Sequence, residues 1–341
     1  MRLLIITQAV DLDSPILGFF HRWITEFSKY AERIEVICLE SGKFNLPDNV
    51  RVHSLGKENG VSRLGYVVNF YRHIWRLRKD YDTVFVHMNQ EYVLLGGAFW
   101  RMMGKKTLLW RNHKQGNFFT QVSVWLSHKV FCTAPESYTA RFKKTSLMPV
   151  GIDTDVFRRR LDIQKMPRSI LFLGRISPVK RVERFIEVLS EMKEQGQSFR
   201  ALIVGDSAPL DREYGGGIKR LAARVGGEVS FRRGVRNEDV ADIYNAHELY
   251  VNLTPSGSMD KTIFEAMSCE TLVLAANQAL RGSIDDRLIL GEKESQISQR
   301  IDAILSLPEE EKESLTSSLR AFVVQTHSLE RLARNLFEYA E

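Results

Sequence analysis

The segment ILFLGRISPVKR, residues 170–181, leads from an apolar run directly into two cations. The run ILFLG predicts a buried strand that ends at Gly174, and the apolar positions of VERFIEVLSEM, which follows, recur with the period of a helix. A strand, a turn and a helix in that order form the repeating unit of a parallel α/β sheet. Arg175 and Lys180 flank the Ser-Pro turn between them, and they are either two solvated charges or a site for a doubly negative group.

The same alternation of apolar runs and amphipathic stretches extends over the chain, which indicates α/β architecture with parallel sheets covered on both faces. The predicted strands are RLLIIT, IEVICLE, VRVHSL, TVFVHM, KTLLW, KVFCTA and TSLMPV in the first half, and SILFLG, RALIVG, EVSFRRG, LYVNLT and TLVLAA in the second. Two such series predict two doubly wound Rossmann-like domains, at residues 1–152 and 153–325. Ligands of such sheets bind beyond the carboxyl ends of the strands, so the predicted site is a cleft where two sets of strand ends face each other.

Composition and charge narrow the class of protein. Hydrophobic residues make up 44% of the chain and charged residues 26%, as in a soluble globular protein with a sizeable core. No apolar run approaches the ~20 residues that span a bilayer, no secretory signal is visible, and three isolated cysteines indicate reduced thiols in a cytoplasmic protein. Lys and Arg exceed Asp and Glu by 10 in residues 1–160, whereas the remainder has a net charge of −4. The first half is therefore expected to meet an anionic partner or surface.

A second strand-to-helix corner lies at LTPSGSMDKTIFEAMSCETLVLAAN, residues 253–277. The backbone amides of Lys261 and Thr262 begin the predicted helix and are open to an anion. Glu265 stands one turn later in an otherwise apolar stretch, where a buried carboxylate needs a partner such as ligand hydroxyls. The alternative is a helix that is capped by Asp260 and whose Glu265 faces solvent.

Several segments together resemble glycosyltransferase family 4, whose members are retaining, nucleotide-sugar-dependent enzymes of the GT-B fold. The segments are FLGRISPVKRVERFIEVL, IVGDS, VSFRRGV, YVNLTPSGSMDKTIFEAMSCETLVLA and MPVGIDTDVF, in the family's order and spacing. The resemblance covers essentially the whole chain and is strongest in the second half. It implies that the last helix, at residues 326–341, crosses back to the first domain.

The resemblance also implies a donor site. Arg175 and Lys180 match the pair that binds the donor pyrophosphate and stabilises the leaving group, and Glu265 matches the second glutamate of the family's E-x7-E motif, which holds ribose hydroxyls. Val235 falls where the family's backbone meets the base. The further donor-binding positions are Gly18, Gly174, Gly205, Asp206, Gly257, Ser258, Met259, Asp260, Lys261 and Thr262. The family uses no metal here, because Arg, Lys and backbone amides neutralise the donor diphosphate in place of Mg²⁺. The resemblance therefore implies no cofactor and no metal.

One position departs from the family's pattern. The first glutamate of E-x7-E would fall at Gly257. Asp260 is a candidate substitute carboxylate, and the loop amides alone are the alternative. This departure bears on the identity of the donor sugar and on catalytic competence.

The first half supplies candidates for the acceptor and for catalysis. His113 follows the strand KTLLW, at the corner where the family has a histidine beside the reacting sugar, so it is the third predicted catalytic residue with Arg175 and Lys180. Transfer in the family is expected to proceed by front-face return, in which the donor phosphate deprotonates the acceptor hydroxyl. The predicted acceptor-binding residues are Asp11, Asp13, His87, Arg111 and Lys114.

The segment RLGYVVNFYRHIWRLRKDY interleaves aromatic residues with five cations within residues 63–79. A basic, aromatic amphipathic helix is typical of an interfacial segment, and each cation near an anionic leaflet contributes about 1 kcal/mol. The alternative is a helix that packs its aromatic face on the sheet and leaves a basic face in water. The first interpretation predicts a protein on the inner face of the cell membrane with a saccharide or polyprenyl-linked acceptor.

Other functions explain less of the sequence. A nucleotide-sugar epimerase shares the fold, and a catalytically impaired protein that binds anions or nucleic acid would explain the charge. No nucleic-acid-binding motif is present, however, so no nucleic-acid partner is expected. A dehydrogenase of the Rossmann type is excluded because no GxGxxG follows any strand. The sequence favours a nucleotide-sugar glycosyltransferase of cell-surface polysaccharide or glycolipid assembly.

Overall fold

The computed structural model of the chain describes residues 1–14, 16–257, 259–291 and 296–340. These residues form two compact units. The first unit contains Met1–Gly151 and the segment from Leu329 onward, and the second contains Ile152–Ser328. Both are α/β units built on a parallel sheet, as the sequence predicts.

The first unit has a seven-stranded sheet in the order β3-β2-β1-β4-β5-β6-β7. Its elements in chain order are β1 Arg2–Val10, α1 Gly18–Phe27, β2 Arg33–Ser41, β3 Val50–Ser54, α2 Arg63–Arg76, β4 Thr83–His87, α3 Glu91–Met102, β5 Lys106–Trp110, α4 Phe118–Leu126, β6 Lys129–Cys132 and β7 Thr145–Leu147. All neighbouring strands pair in parallel.

Alternation along the strands divides the core of this unit into two layers. Leu3 and Ile5 of β1 pack with α1, whereas Leu4 and Ile6 point to the opposite face and pack with α2. Both faces of the sheet are therefore covered, which explains why its strands are continuously apolar. The last helix, α11 Leu329–Ala340, packs against α1 with the buried residues Leu329, Leu332, Ala333, Leu336, Phe337 and Ala340.

The second unit has a five-stranded parallel sheet in the order β10-β9-β8-β11-β12. Its elements are β8 Met166–Leu173, α5 Val182–Glu194, β9 Arg200–Val204, α6 Arg212–Val225, β10 Val229–Arg232, α7 Val240–Asn245, β11 His247–Asn252, α8 Lys261–Ser268, β12 Leu272–Ala275, α9 Ile297–Leu305 and α10 Glu309–His327. β9 and β10 are added on one side of β8, and β11 and β12 on the other, so the strand order switches sides at β8. Open α/β sheets bind ligands at such a switch point.

The helix after β8 begins at Val182, the first residue of the stretch VERFIEVLSEM whose periodicity predicts it. Pro178–Lys180 form a single 3₁₀ turn, and Arg181 has a φ of +52°, in the left-handed region. That conformation separates the turn from α5, which begins at Val182 and buries Phe185, Ile186 and Leu189 on one face. Lys180 therefore belongs to a turn of its own and not to the helix.

Candidate nucleotide-sugar site

Backbone hydrogen bonds join the carboxyl ends of β8, β9 and β10. The amide of Gly174 donates to the carbonyl of Val204 at 3.0 Å, and the amide of Gly205 donates to the carbonyl of Arg232 at 3.0 Å. Gly174 and Gly205 have φ angles of +152° and +151°, which L side chains rarely adopt. At these two predicted donor-binding positions no side chain covers the backbone, so the ends of β8 and β9 present main-chain atoms.

Asp206 extends this edge toward the loop after β10. Its carboxylate accepts a hydrogen bond from the amide of Gly234 at 3.0 Å, and its backbone carbonyl accepts one from the amide of Ile176. Val235 follows Gly234 directly and is half-buried. The structure thus brings Asp206 and Val235 to the same sheet edge as Gly174 and Gly205.

The two predicted phosphate-binding cations differ in their surroundings. Arg175 is exposed, and its guanidinium has no hydrogen-bond or carboxylate partner among the residues that the structure describes. Lys180 Nζ forms an ion pair with Asp260 Oδ2 at 2.5 Å, and each of these side chains is only 18% exposed. Arg175 is open to an anionic ligand, whereas Lys180 already holds an anionic side chain.

A polar network that the sequence analysis missed lies behind this ion pair. Asn252 Nδ2 lies 3.2 Å from Asp260 Oδ2 and 2.9 Å from the hydroxyl of Tyr250. The Tyr250 hydroxyl lies 2.8 Å from Thr262 Oγ1 and 3.2 Å from the carbonyl oxygen of Leu173. Tyr250 and Asn252 are buried and two residues apart on β11, so they share one face of the strand. The polar residue within YVNLT was the only signal in the sequence.

Glu265 is buried, with 3% of its surface exposed. Its Oε1 accepts from Asn237 Nδ2 at 3.2 Å and its Oε2 from the Tyr244 hydroxyl at 3.3 Å. The alternative of a solvent-facing Glu265 is therefore wrong. Asn237 stands two residues after Val235, so this hydrogen bond connects Glu265 to the segment that contains the base candidate. Neither Asn237 nor Tyr244 was singled out from the sequence.

The start of α8 is arranged differently from a capped helix. Asp260 occupies the N-cap position, but its side chain makes no capping hydrogen bond, because the carboxylate is held by Lys180 and Asn252. Lys261 and Thr262 open the helix, and burial lowers the pKa of the Lys261 ammonium although the Glu265 charge opposes this shift. An anion at this helix end would be stabilised by the helix dipole and by Lys261.

Gly257 has a φ of +140° and is buried. An L residue is strained at this φ, so the glutamate of the family's pattern would not fit the loop as it stands. Met259 is half-buried, and its sulfur lies 3.7 Å from Asn277 Nδ2. Ser258, also a predicted donor contact, lies outside the described residues.

In the first unit, the loop after β1 is held by its own side chains. Asp11 Oδ1 accepts from the amides of Asp13 and Lys43, both at 3.1 Å, and Asp13 pairs with Lys43 Nζ at 3.1 Å. Gly18 begins α1, and a Cβ there would lie 3.1 Å from the carbonyl oxygen of Leu12. Asp11 thus serves the loop's structure, while Asp13 remains exposed at its surface.

His87 was predicted to bind the acceptor, and the structure corrects this. Its ring stacks on Phe20 at 3.9 Å between centroids, Nδ1 lies 3.2 Å from Thr7 Oγ1, and the residue is 2% exposed. The aromatic residues of α1 enclose the imidazole, so it packs the first unit.

His113, Arg111 and Lys114 occupy one loop after β5. His113 and Lys114 are exposed, and the imidazole Nδ1 of His113 lies 3.0 Å from the amide nitrogen of Gln115. Arg111 Nη2 donates to the carbonyl of Gln115 at 3.0 Å. Arg111 Nη1 is buried without a hydrogen-bond partner among the described residues, and burial lowers the pKa of this guanidinium. Such a cation is suited to an anionic ligand.

No helix in the described ranges is both long enough and apolar enough to cross a membrane. No group of three or more His, Cys, Asp or Glu side chains among those same residues is arranged to hold a metal ion.

The second unit is similar in sequence to known glycosyltransferases. Residues 167–307 match the model of the family Glycosyl transferases group 1. The D-inositol 3-phosphate glycosyltransferase of Geodermatophilus obscurus is 27% identical over 190 residues, which cover 50% of this chain and 42% of that protein. The one from Mycobacterium tuberculosis strain F11 is 28% identical over 172 residues, 46% of this chain and 35% of that protein. The matches thus span less than half of the length of these curated relatives.

Solved structures resemble the chain over its whole length. Anabaena HepE in complex with UDP-glucose has a TM-score of 0.78 at 18% identity and 99% coverage of both chains. Sucrose-phosphate synthase from Thermosynechococcus elongatus has a TM-score of 0.77 at 15% identity, covering 99% of this chain and 98% of that one. The predicted α/β architecture and the predicted glycosyltransferase fold are confirmed, whereas membership of family 4 stays a prediction. The chain has the GT-B fold of glycosyltransferases, and its residues 167–307 match the model of the family Glycosyl transferases group 1.

Proposed function

We propose that this chain is a retaining glycosyltransferase that moves a sugar from a nucleoside-diphosphate donor to a hydroxyl of a saccharide or lipid-linked saccharide. The observation that carries the proposal is the carboxyl edge of the second sheet. Four neighbouring strands, β10, β9, β8 and β11, bring to that edge two cations, a helix start and a buried carboxylate. A nucleoside diphosphate needs these groups, and HepE, of the same fold, binds UDP and UDP-glucose.

Each part of the edge suits one part of the donor. Arg175 and Lys180 neutralise the diphosphate, and the amides of Lys261 and Thr262 add donors at the positive end of α8. Glu265 accepts hydrogen bonds from the ribose hydroxyls in place of those from Asn237 or Tyr244. The backbone at Val235 meets the base. Gly257, Met259 and Asp260 contact the donor sugar.

The proposed reaction needs no metal and no enzyme nucleophile. The donor phosphate takes the proton of the acceptor hydroxyl on the face that the leaving group departs from, so the anomeric configuration is retained. Arg175 and Lys180 stabilise the charge that develops on the leaving diphosphate. His113 positions the donor sugar and is the catalytic residue of the first unit. Arg111 and Lys114, on the same loop, bind an acceptor that carries negative charge.

The acceptor is proposed to be membrane-linked, because α2 displays an apolar and basic surface. Leu64, Val68, Tyr71 and Trp75 are exposed at helical spacing, and α2 contains no acidic residue. Tyr71 donates a hydrogen bond to the Leu95 carbonyl on α3, which holds this part of α2 against the neighbouring helix. Peripheral docking of residues 63–79 on the anionic inner face of the cell membrane would bring the enzyme to a polyprenyl-linked acceptor of polysaccharide or glycolipid assembly.

A transfer assay tests the proposal. The purified chain is incubated with UDP-glucose, GDP-mannose or ADP-glucose, with and without a lipid extract, and release of nucleoside diphosphate is followed. A glycosyltransferase releases diphosphate faster when acceptor lipid is present, and Arg175→Ala abolishes that increase. An epimerase, the alternative on this fold, converts the donor without needing acceptor. No turnover of any donor under either condition would refute the proposal.

A further inference from the structure

Lys180 and Asp260 connect two corners of the second sheet. Lys180 closes the 3₁₀ turn after β8, and Asp260 immediately precedes α8. Their side chains meet at 2.5 Å, and both are largely shielded from water. In this state the ammonium group that is proposed to bind a phosphate is occupied by a carboxylate of the same chain.

Asp260 is held in this position from a second side. Asn252 Nδ2 lies 3.2 Å from the same Oδ2 atom, and Asn252 is 4% exposed. The carboxylate caps none of the amides of α8, although Asp at an N-cap position commonly does so. Asp260 is therefore fixed beside Lys180 by buried neighbours, so its negative charge stays near the phosphate position even when Lys180 turns to a ligand.

We propose that Asp260 is a built-in competitor for the diphosphate: it occupies Lys180 when the donor site is empty, and its charge favours release of the spent nucleoside diphosphate over release of the nucleotide sugar. This inference rests on the proposed donor site and extends it to product release. The two ligands differ in charge, because the terminal phosphate of a nucleoside diphosphate carries a single substituent and has a second ionisation with a pKa of about 6. In a nucleotide sugar each phosphate carries two substituents and one negative charge, so at pH 7.5 the product carries about one more negative charge than the substrate.

A fixed carboxylate near that phosphate repels the product more than the substrate. The sequence offers a different role for Asp260, namely contact with a sugar hydroxyl in place of the motif glutamate at Gly257. The two roles predict different results for the nucleotide without its sugar. Only the competitor role changes the affinity for nucleoside diphosphate.

Calorimetric titration of wild type, Asp260→Asn and Asp260→Glu tests the inference. The probes are three pairs of ligands with the same base: UDP and UDP-glucose, GDP and GDP-mannose, and ADP and ADP-glucose. Asparagine is as good an N-cap residue as aspartate, so the variant is expected to fold. Glu187→Gln is the matched control, since it removes one acidic charge from an exposed position on α5.

At pH 7.5, Asp260→Asn is expected to bind the diphosphate about fivefold more tightly than wild type and the nucleotide sugar with a smaller gain. Asp260→Glu and Glu187→Gln should keep the wild-type ratio of the two affinities. An unchanged or weaker affinity of Asp260→Asn for the diphosphate overturns the inference, as does an equal gain for both ligands. If wild type binds none of the three diphosphates, the proposed donor site itself fails, and the inference fails with it.

Discussion

A Cβ atom on Gly205 would lie 1.9 Å from the carbonyl oxygen of Gly174. The two glycines end adjacent strands, and both have φ angles that favour glycine. The backbone of β9 therefore passes the backbone of β8 with no room for a side chain. This contact fixes the distance between the Arg175 corner and the Asp206 corner, on which the proposed donor site depends.

Gly205→Ala is expected to destabilise the chain by roughly 2–4 kcal/mol, because the backbone of either strand must move to relieve the overlap. Urea denaturation followed by circular dichroism measures the change in the free energy of unfolding. Gly227→Ala is the control, since a Cβ there meets no atom within 4 Å. Equal stability of the two variants would mean that the close approach of β8 and β9 is not required.

Glu265→Gln is expected to weaken binding of a nucleoside diphosphate by about tenfold, because hydrogen bonds to a charged acceptor contribute about 1.5–3 kcal/mol. Inorganic diphosphate has no ribose, so its affinity should not decrease. Both ligands are titrated against both proteins. A parallel loss of affinity for inorganic diphosphate would argue that Glu265 acts on the phosphate site or on folding and not on ribose.

The burial of Lys165 is expected to make the stability of the chain depend on pH. Burial lowers the pKa of Lys165 from 10.5 to about 8 in the folded chain, and its ammonium donates to the carbonyl of Glu270. Between pH 8 and 10.5 the unfolded chain binds the Lys165 proton more strongly than the folded chain does. The titration of Lys165 therefore increases the free energy of unfolding of wild type by up to about 1.4 kcal/mol per pH unit as the pH rises. Below pH 8 both states are protonated and the cost of burying the charge is complete.

Lys165→Met removes this titration. The difference in the free energy of unfolding, wild type minus Lys165→Met, should be constant below pH 8 and increase from pH 8 to 10. Lys219→Met, at an exposed position on α6, is the control substitution. A flat difference for Lys165→Met would show that Lys165 is not desolvated in the folded chain.

The surface of α2 predicts binding to anionic vesicles. Leu64 and Trp75 are 80% and 58% exposed. Replacing both by Ser is expected to lower the affinity for phosphatidylglycerol vesicles about tenfold or more, because the two apolar side chains can no longer be buried in the membrane interface. Sedimentation with vesicles measures it. Leu210→Ser, at an exposed position of the second unit, should have no effect, and neutral phosphatidylcholine vesicles should bind wild type weakly. If wild type binds neither kind of vesicle, the surface has another partner.

Local periodicity explains why the fold was predictable. The alternation of Leu3, Leu4, Ile5 and Ile6 predicts a strand buried on both faces, and the structure distributes these residues between two core layers. The stretch IFEAM likewise indicated that Glu265 enters an apolar environment, as it does. Such features depend on near neighbours in the chain, which a sequence displays directly.

Pairing between distant residues explains what was not predicted. Lys180 and Asp260 were identified separately, yet their ion pair spans 80 positions and depends on how β8 and β11 pair. Tyr250 and Asn252 were taken only as parts of a strand, because nothing local shows that their polar groups meet Thr262 and Asp260. His87, at the end of β4, was misassigned for the same reason, since Phe20, which covers it, lies in α1, far away in the sequence.

The most direct test of the central claim is the thermal stability of the chain with UDP, GDP and ADP, for wild type and for Lys180→Ala. A ligand that binds only the folded state raises the unfolding midpoint. We expect that at least one diphosphate raises the midpoint of wild type, that Lys180→Ala loses most of this response, and that Lys219→Ala keeps it. If no diphosphate stabilises wild type, or if Lys180→Ala responds as wild type does, the edge formed by β8 and β11 is not a nucleotide site and the account is contradicted.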